Sequence, residues 1–330
     1  MIERHFGESA PLSLGVEEEL MILDAETLEP AARVDVFLDK DSLPGTFKTE
    51  LHASVVELTT CICDSADEAV ESLRALRAAA AQLAAANGLV LAAAGAHPTA
   101  RLESLPVVPE ERYLSMLRDV GRAARRQGVN GLHVHVGIAS AEECWERLEA
   151  VLPWLPAVLA LSANSPFVDG EATGMLSNRA PILAELPRSG APPAFGSYEA
   201  WEAWVERLVA LGVMADYTRI WWDVRPHPRL GTLEVRIADQ PTSLARTELL
   251  IRTIRELVEH APPAVADRGD YLQNRWAAAS RGLDALLIHP DGSRVVPARE
   301  VLGFDAPEEE ARAQLRADNV AADLVARTLG

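Results

Sequence analysis

Gly131-Leu132-His133-Val134-His135-Val136-Gly137 alternates residue by residue between histidine and aliphatic side chains. Successive side chains of a strand point to opposite faces, so His133 and His135 share one face and the aliphatics the other. Two more segments repeat the device. In Gly15-Val16-Glu17-Glu18-Glu19-Leu20, Glu17 and Glu19 share a face. In Leu233-Glu234-Val235-Arg236-Ile237, Glu234 and Arg236 lie opposite three aliphatics. Any one of these is ordinary, because a half-buried strand alternates apolar and solvated residues. A Glu-x-Arg pair alone can be a surface ion pair worth ~0–1 kcal/mol. Three strands that each line one face with Glu, His or Arg predict a polar, concave sheet surface used as a site.

Around these strands the chain reads as one α+β domain, residues 1–330, without repeat or linker. Strand patterns occupy 12–23 and 47–60, a short strand follows at 89–93, and further ones at 131–138 and 232–238. Ser65-x-x-Glu68 and Ser140-x-x-Glu143 are capping boxes that open helices. Other helices are expected at about 110–127, 198–211, 243–260 and 267–280, with a charged, peripheral last helix at 307–329. Pro153 and Pro156 must interrupt the helix that Ser140 opens. The polar, Gly- and Pro-rich stretch 164–196 is long enough for a functional loop, and is the candidate lid.

Composition excludes several classes of function. Hydrophobic residues make 48% and charged ones 24% of the 330 residues, which is ordinary for a globular chain. Lys+Arg 31 against Asp+Glu 49 leaves −18, which disfavours nucleic acid and anionic membrane as partners. The three cysteines, in a Cys61-x-Cys63 pair plus Cys144, fit neither a zinc knuckle nor a disulfide framework; they read as buried, reduced thiols of a cytoplasmic protein. The uncharged run 78–96 is long enough to span a bilayer. Asn87-Gly88 breaks it into a helix end and a new strand instead.

Glu50 and Glu57 flank an apolar run at odd separation, so both reach one face only across a turn or bulge. Many carboxylates with few soft ligands suit Mg²⁺ or Mn²⁺. His133, His135 and a glutamate could make an open zinc site, but the excess of glutamates favours Mg²⁺. Magnesium implies phosphate, and Arg179, Arg225, Arg236 and Arg281 are placed to bind phosphate or carboxylate. There is no Gly-x-x-x-x-Gly-Lys-Ser/Thr loop and no Rossmann glycine pattern.

With these motifs the sequence resembles the YbdK-type carboxylate–amine ligases of the type 2 glutamate–cysteine ligase family. The resemblance runs from about Leu14 to Ala285, with 286–330 as a C-terminal helical extension. Beyond the three strands it includes Gly95-Ala-His-Pro98, Glu111-Arg-Tyr113, Leu161-Ser-Ala-Asn-Ser-Pro-Phe167, Trp222-Asp-Val-Arg-Pro226 and Asn274-Arg-Trp276. It implies a glutamine synthetase-like fold, a curved antiparallel sheet with helices packed on its outer face. It also implies Mg²⁺ (or Mn²⁺) ligands at Glu17, Glu19, Glu50, Glu57, His133 and Glu234, and the turn that joins Glu50 to Glu57. Arg236 would contact the γ-phosphate of ATP, and Arg179 the substrate or phosphate. His135, Asn178, Trp222, Arg225, Asn274 and Arg281 would bind substrate or nucleotide. The chain departs from the family at Ser280-Arg281-Gly282, where members carry Arg-Tyr-Gly.

The expected reaction is ATP-dependent: an amino acid carboxylate, glutamate first, becomes an acyl phosphate that an amine such as cysteine attacks. Partners would be these small molecules and a second copy of the chain in a homodimer. Competing readings are a nucleotide-binding relative altered at Ser280, a guanidino phosphotransferase on the same type of sheet, and a His-x-His zinc hydrolase.

Overall fold

A computed structural model describes residues 2–38 and 43–329. Its centre is a seven-stranded antiparallel sheet of β1 (Leu14–Asp24), β2 (Gly45–Thr49), β3 (Val55–Thr60), β4 (Leu89–Ala92), β5 (Leu132–Gly137), β6 (Val224–His227) and β7 (Thr232–Val235). The order is β6-β7-β5-β1-β3-β2, and β4 pairs with the far end of β1. β1 is long enough to pair with β5 over its first half, with β3 at its middle and with β4 at its end.

The register turns alternation into a cluster. Across β1 and β5, Glu17 lies opposite His133 and Gly15 opposite His135. His135 in turn faces Glu234 of β7, Glu234 faces Arg225 of β6, and Glu19 faces Glu57 of β3. A slip of one residue would turn all of them into the core.

The other face is apolar and buried. Val16, Leu20, Val56, Leu58, Leu132, Val134, Val136 and Leu233 are at most 1% exposed, and belong to the main core. Helices α1 (Ala66–Ala85), α3 (Ala141–Val151) and α6 (Leu244–His260) cover it, whereas α2 (Glu111–Val120) lines the polar face. Ser65 and Ser140 cap α1 and α3 as their motifs imply, each hydroxyl accepting from the backbone N–H three residues on. Ser197 and Ser243 do the same for α5 (Tyr198–Ala210) and α6. Between α3 and α5, α4 (Leu155–Ser162) follows a 3₁₀ turn; Pro153 sits at the start of that turn and Pro156 at the start of α4, where a missing N–H costs little.

Glu18, between the two site glutamates, faces this core. Arg77 of α1 donates to both its oxygens, at 2.7 and 2.6 Å, and also to the carbonyls of Thr242 and Thr328. The pair ties α1, the sheet, α6 and the C-terminus together with almost no solvent contact. Arg77→Met would leave a buried carboxylate uncompensated, and is expected to cost about 3–5 kcal/mol in denaturant unfolding.

Four expectations need correction. The helix expected at 110–127 breaks at Gly121, which adopts φ +69° between α2 and a short turn at 122–125. Beyond α7 (Arg268–Arg281), the C-terminal extension opens on a hairpin of Leu286–Ile288 and Val295–Pro297, not a helix. The last helix is two, α8 (Glu310–Arg316) and α9 (Val320–Thr328), and neither is peripheral. Gln314 donates to Asn164, and Glu310 accepts the N–H groups of Thr242 and Ser243. These polar anchors left no hydrophobic period to read. Cys61 is exposed, since it follows the end of β3; Cys63 and Cys144 are buried. Among the described residues no helix is long and apolar enough to cross a membrane.

Candidate active site

The polar face floors a cleft of about 330 Å³. Sheet residues Glu17, Glu57, His133, His135, Arg225 and Glu234 line it together with Arg236, which follows β7. Arg112, Tyr113 and Met116 of α2 form one wall, and 215–221 the other. Arg219 bridges the walls by donating to the carbonyl of Arg112 and the hydroxyl of Ser115. An inner lobe of about 150 Å³ continues past Glu50, His133 and Arg236 to Glu19, Gln127 and Arg179.

Glu50 and Glu57 do come together here. Residues 51–54 form the turn that their odd separation demanded. The Tyr113 hydroxyl donates to Thr49 O at 2.7 Å and so ties α2 to the strand end that carries Glu50.

Charge is unevenly balanced along this surface. Glu17, His133 and Glu234 each offer a donor atom within 4.8 Å of the others. The Glu17 carboxylate lies 3.1 Å from His133 Nδ1 and 3.8 Å from His135 Nε2. Burial would raise the Glu17 carboxyl, but the hydrogen bonds of these histidines outweigh it and hold it well below the ordinary range. Burial likewise opposes ionisation of Glu234, and the charges of Arg225 and Arg236, both paired with it, win. His133, buried and near Arg236, is pushed down to about 4 and stays neutral, as a metal-binding imidazole must be.

At the other three carboxylates the partners do not outweigh burial and the neighbouring negative charge. Burial and the charge of Glu50 raise Glu19 well above its usual value, and burial raises Glu50. Burial with Glu17 and Glu50 pushes Glu57 up to about 7, although Lys48 sits 3.2 Å away. This donor chemistry fits divalent cations: a mixed imidazole–carboxylate set beside a crowded carboxylate set wanting positive charge. Because the folded-state value of Glu57 lies above the ordinary 4.5, ionising it costs stability. The penalty is absent below the unfolded value, grows with rising pH, and is complete above about 7. At pH 8 without divalent cations, Glu57→Gln is expected to stabilise the fold by roughly 3 kcal/mol. Thermal melts with and without a chelator check this, the variant also losing part of the shift that added cation gives.

Arg179 is held by design of the loop that carries it. Asp239, fully buried, accepts from Asn164 N, Ser165 Oγ and Ser177 Oγ at 2.7–2.9 Å. Ser165 Oγ then accepts from the backbone N–H of Arg179. The guanidinium donates to the carbonyls of Arg236 and Ile237 and crosses Gly131, where a Cβ would lie 2.2 Å from it. Asp239 thus anchors both ends of the first half of the stretch 164–196, from Asn164 to Ser177.

Four expected residues lie elsewhere. Asn178 spends its amide inside its own loop, on Ser165 O and the Thr173 hydroxyl. Trp222 is 2% exposed and stacks on Trp204; its neighbour Trp221 faces the cleft. Asn274 pins the backbone of Ile288 from both sides, at a separate hollow. Arg281 is exposed at the end of α7. In the Asn274-Arg-Trp motif it is Arg275 that acts inward, pairing with buried Asp223, whose carbonyl accepts the N–H of Arg236. Among the described residues the group within ligating reach is Glu17, His133 and Glu234 rather than the two histidines together; His135, its Nδ1 on the Thr232 hydroxyl at 3.0 Å, leaves Nε2 3.8 Å from Glu17 and 3.9 Å from Glu234.

The model of glutamate–cysteine ligase family 2 (GCS2) matches residues 13–326, which takes in the C-terminal segment beyond 285. A Rubrobacter xylanophilus protein named "Putative glutamate--cysteine ligase 2-1" is 40% identical over 308 residues, 91% of this chain and 82% of its own. A Herpetosiphon aurantiacus protein named in the same terms is 35% identical, over 84% of this chain and 75% of its own. Among solved structures, the bifunctional glutathione synthetase of Pasteurella multocida superposes with a TM-score of 0.63 at 17% identity, covering 97% of this chain, which spans about half (51%) of that one. The glutamate–cysteine ligase of Francisella tularensis in complex with AMP gives 0.58 at 14% identity, over 97% and 82%. The fold is that of these glutamine synthetase-like ligases.

Proposed function

The chain belongs to glutamate–cysteine ligase family 2, an ATP-dependent ligase that forms carbon–nitrogen bonds, and on that premise we propose that it activates an amino acid carboxylate as an acyl phosphate and passes the acyl group to an amine. The acid is glutamate and the amine cysteine, by the names its relatives carry. The observation that carries this reading is the meeting, on one sheet face, of Glu17, His133 and Glu234 with three charge-crowded carboxylates and with Arg236.

Glu17, His133 and Glu234 would hold one divalent cation, and Glu19, Glu50 and Glu57 a second, Mg²⁺ or Mn²⁺ by the oxygen-rich donors. Bound cations supply positive charge that lets a carboxylate approach a triphosphate. The chain's own groups do the rest. A carboxylate oxygen of the acid attacks the γ-phosphorus and ADP leaves. Arg236, half-buried and paired with buried Glu234, stabilises charge on the transferring phosphoryl group. The amine nitrogen then attacks the acyl carbon, and phosphate leaves carrying one oxygen of the acid. The bridged walls at Arg219 and α2 exclude water that would otherwise hydrolyse the acyl phosphate.

A recess of about 180 Å³ on the far side of Glu17 and His135 supports a seat for the nucleoside of ATP. Leu14, Ile62 and Leu230 give it an apolar wall, suited to a planar base. The homodimer and cytoplasmic residence belong to the same proposal. For the former, Leu272 and Trp276, 55% and 63% exposed and one turn apart on α7, offer apolar surface; light scattering decides it.

ADP release with ATP, Mg²⁺, glutamate and a panel of amines tests the reaction. Amine-dependent ADP with a new amide mass is expected. Phosphoryl transfer to a guanidino nitrogen instead, or hydrolysis independent of ATP, would refute it.

A further inference from the structure

The chain holds 29 arginines and only two lysines, Lys40, outside the described residues, and Lys48. Lys48 lies on β2 opposite Glu57 of β3. Its ammonium is 3.2 Å from Glu57 and 4.0 Å from Glu17, so it touches one carboxylate from each of the two cation positions. The side chain is 45% exposed, and no surrounding packing holds it in this pairing. Lys48 also lines the recess of about 180 Å³, where among the described residues it is the only lysine or arginine and Glu17 the only carboxylate. The cleft beyond has its positive charge in Arg112, Arg219, Arg225 and Arg236 instead. Glu17 and His135 belong to both hollows and mark where one opens into the other. A nucleotide with its base in the recess and its γ-phosphate at Arg236 carries its inner phosphates across that junction, beside Lys48.

A divalent cation on Glu57 or Glu17 competes with the ammonium for the same oxygens, and like charges at that range repel. The lysine is the partner able to leave. It is a compact, hydrated point charge on a flexible stem, whereas an arginine would fork onto the carboxylate and stay. We propose that Lys48 is an exchangeable counter-ion: it neutralises Glu57 and Glu17 before the cations bind, and passes to an inner phosphate of the nucleotide when they arrive. Cation binding and nucleotide binding are thereby coupled through one side chain. The inference rests on the ligase reading and deepens it, giving this residue a part that the cation ligands and Arg236 do not play.

Amine-reactive labelling of the full wild-type chain, read at Lys48 by mass spectrometry, tests the exchange. Adding MgCl₂ alone is expected to free the ammonium and raise its labelling ~3-fold or more, and adding ADP with MgCl₂ to bring labelling below the metal-free rate. Calorimetry of Lys48→Met should give changes of opposite sign. Mn²⁺ is expected to bind the nucleotide-free variant ~3-fold more tightly, because a competitor is gone. ADP in saturating Mn²⁺ is expected to bind it ~10-fold more weakly, because a phosphate contact is gone. Lys48→Arg, which keeps a charge on Glu57, should lack the gain in Mn²⁺ affinity. Labelling that either addition leaves unchanged, or affinities of Lys48→Met that fall together as a structural defect would make them, would overturn the inference. The labelling arm stands even should the variant fold poorly. If wild-type chain binds ADP in Mg²⁺ while Lys48 labelling does not respond, the exchange fails and the ligase reading survives; no binding of ADP would overturn both.

Discussion

Replacing Glu17 with Gln is expected to lower ADP formation by about 10³-fold or more while the chain keeps its fold. Glu17 is where three lines of interaction meet: His133 at 3.1 Å, His135 at 3.8 Å and the Lys48 ammonium at 4.0 Å. The amide is nearly isosteric, and its oxygen can still accept from His133, so local packing survives. What disappears is the negative charge that makes Glu17 a cation ligand. Its partners His133 and His135 are buried but keep an oxygen to donate to, and at 17% side-chain exposure the new amide nitrogen can reach solvent. A coupled ADP assay beside a thermal melt separates catalysis from stability. Wild-type turnover in the variant would remove Glu17 from the metal site.

Arg236→Lys is the second large effect: a loss of about 10³-fold in turnover with the KM for ATP moved only a few-fold. Lysine keeps the positive charge, so buried Glu234 remains compensated and the sheet is not asked to bury a lone carboxylate. It lacks the planar fork that can serve Glu234 and a phosphoryl oxygen at the same time. Turnover should therefore fall far more than stability or nucleotide affinity. Equal losses in turnover and in the melting temperature would assign Arg236 a structural role instead.

Most of the floor of the cleft was legible in the sequence, because period-two alternation alone puts Glu17, Glu19, His133, His135, Glu234 and Arg236 on polar faces. Their proximity was not, since it depends on strand order and register. Only in the folded sheet does Glu17 stand opposite His133 and Glu234 opposite His135. Walls were harder still. Arg112, Tyr113 and Met116 come from a helix whose pattern reads as an ordinary amphipathic surface, and Gln127 from a turn with no pattern at all. Lys48 had a usable signal: at strand spacing it shares a face with Thr46 and Glu50, opposite Glu57. In Trp221-Trp222 two equal side chains adjoin on a strand, so alternation says that one faces the cleft without saying which. Asn178 and Asn274 are polar for the sake of backbone groups they satisfy, a demand visible only once the loops are folded.

The central claim is that a carboxylate is activated by phosphoryl transfer before the amine attacks. Turnover of glutamate labelled with ¹⁸O in its side-chain carboxylate, followed by mass spectrometry of the released phosphate, tests it most directly. One labelled oxygen in the phosphate for each amide formed is the predicted result. Amide formation with unlabelled phosphate, or with the label carried into AMP, would contradict the account.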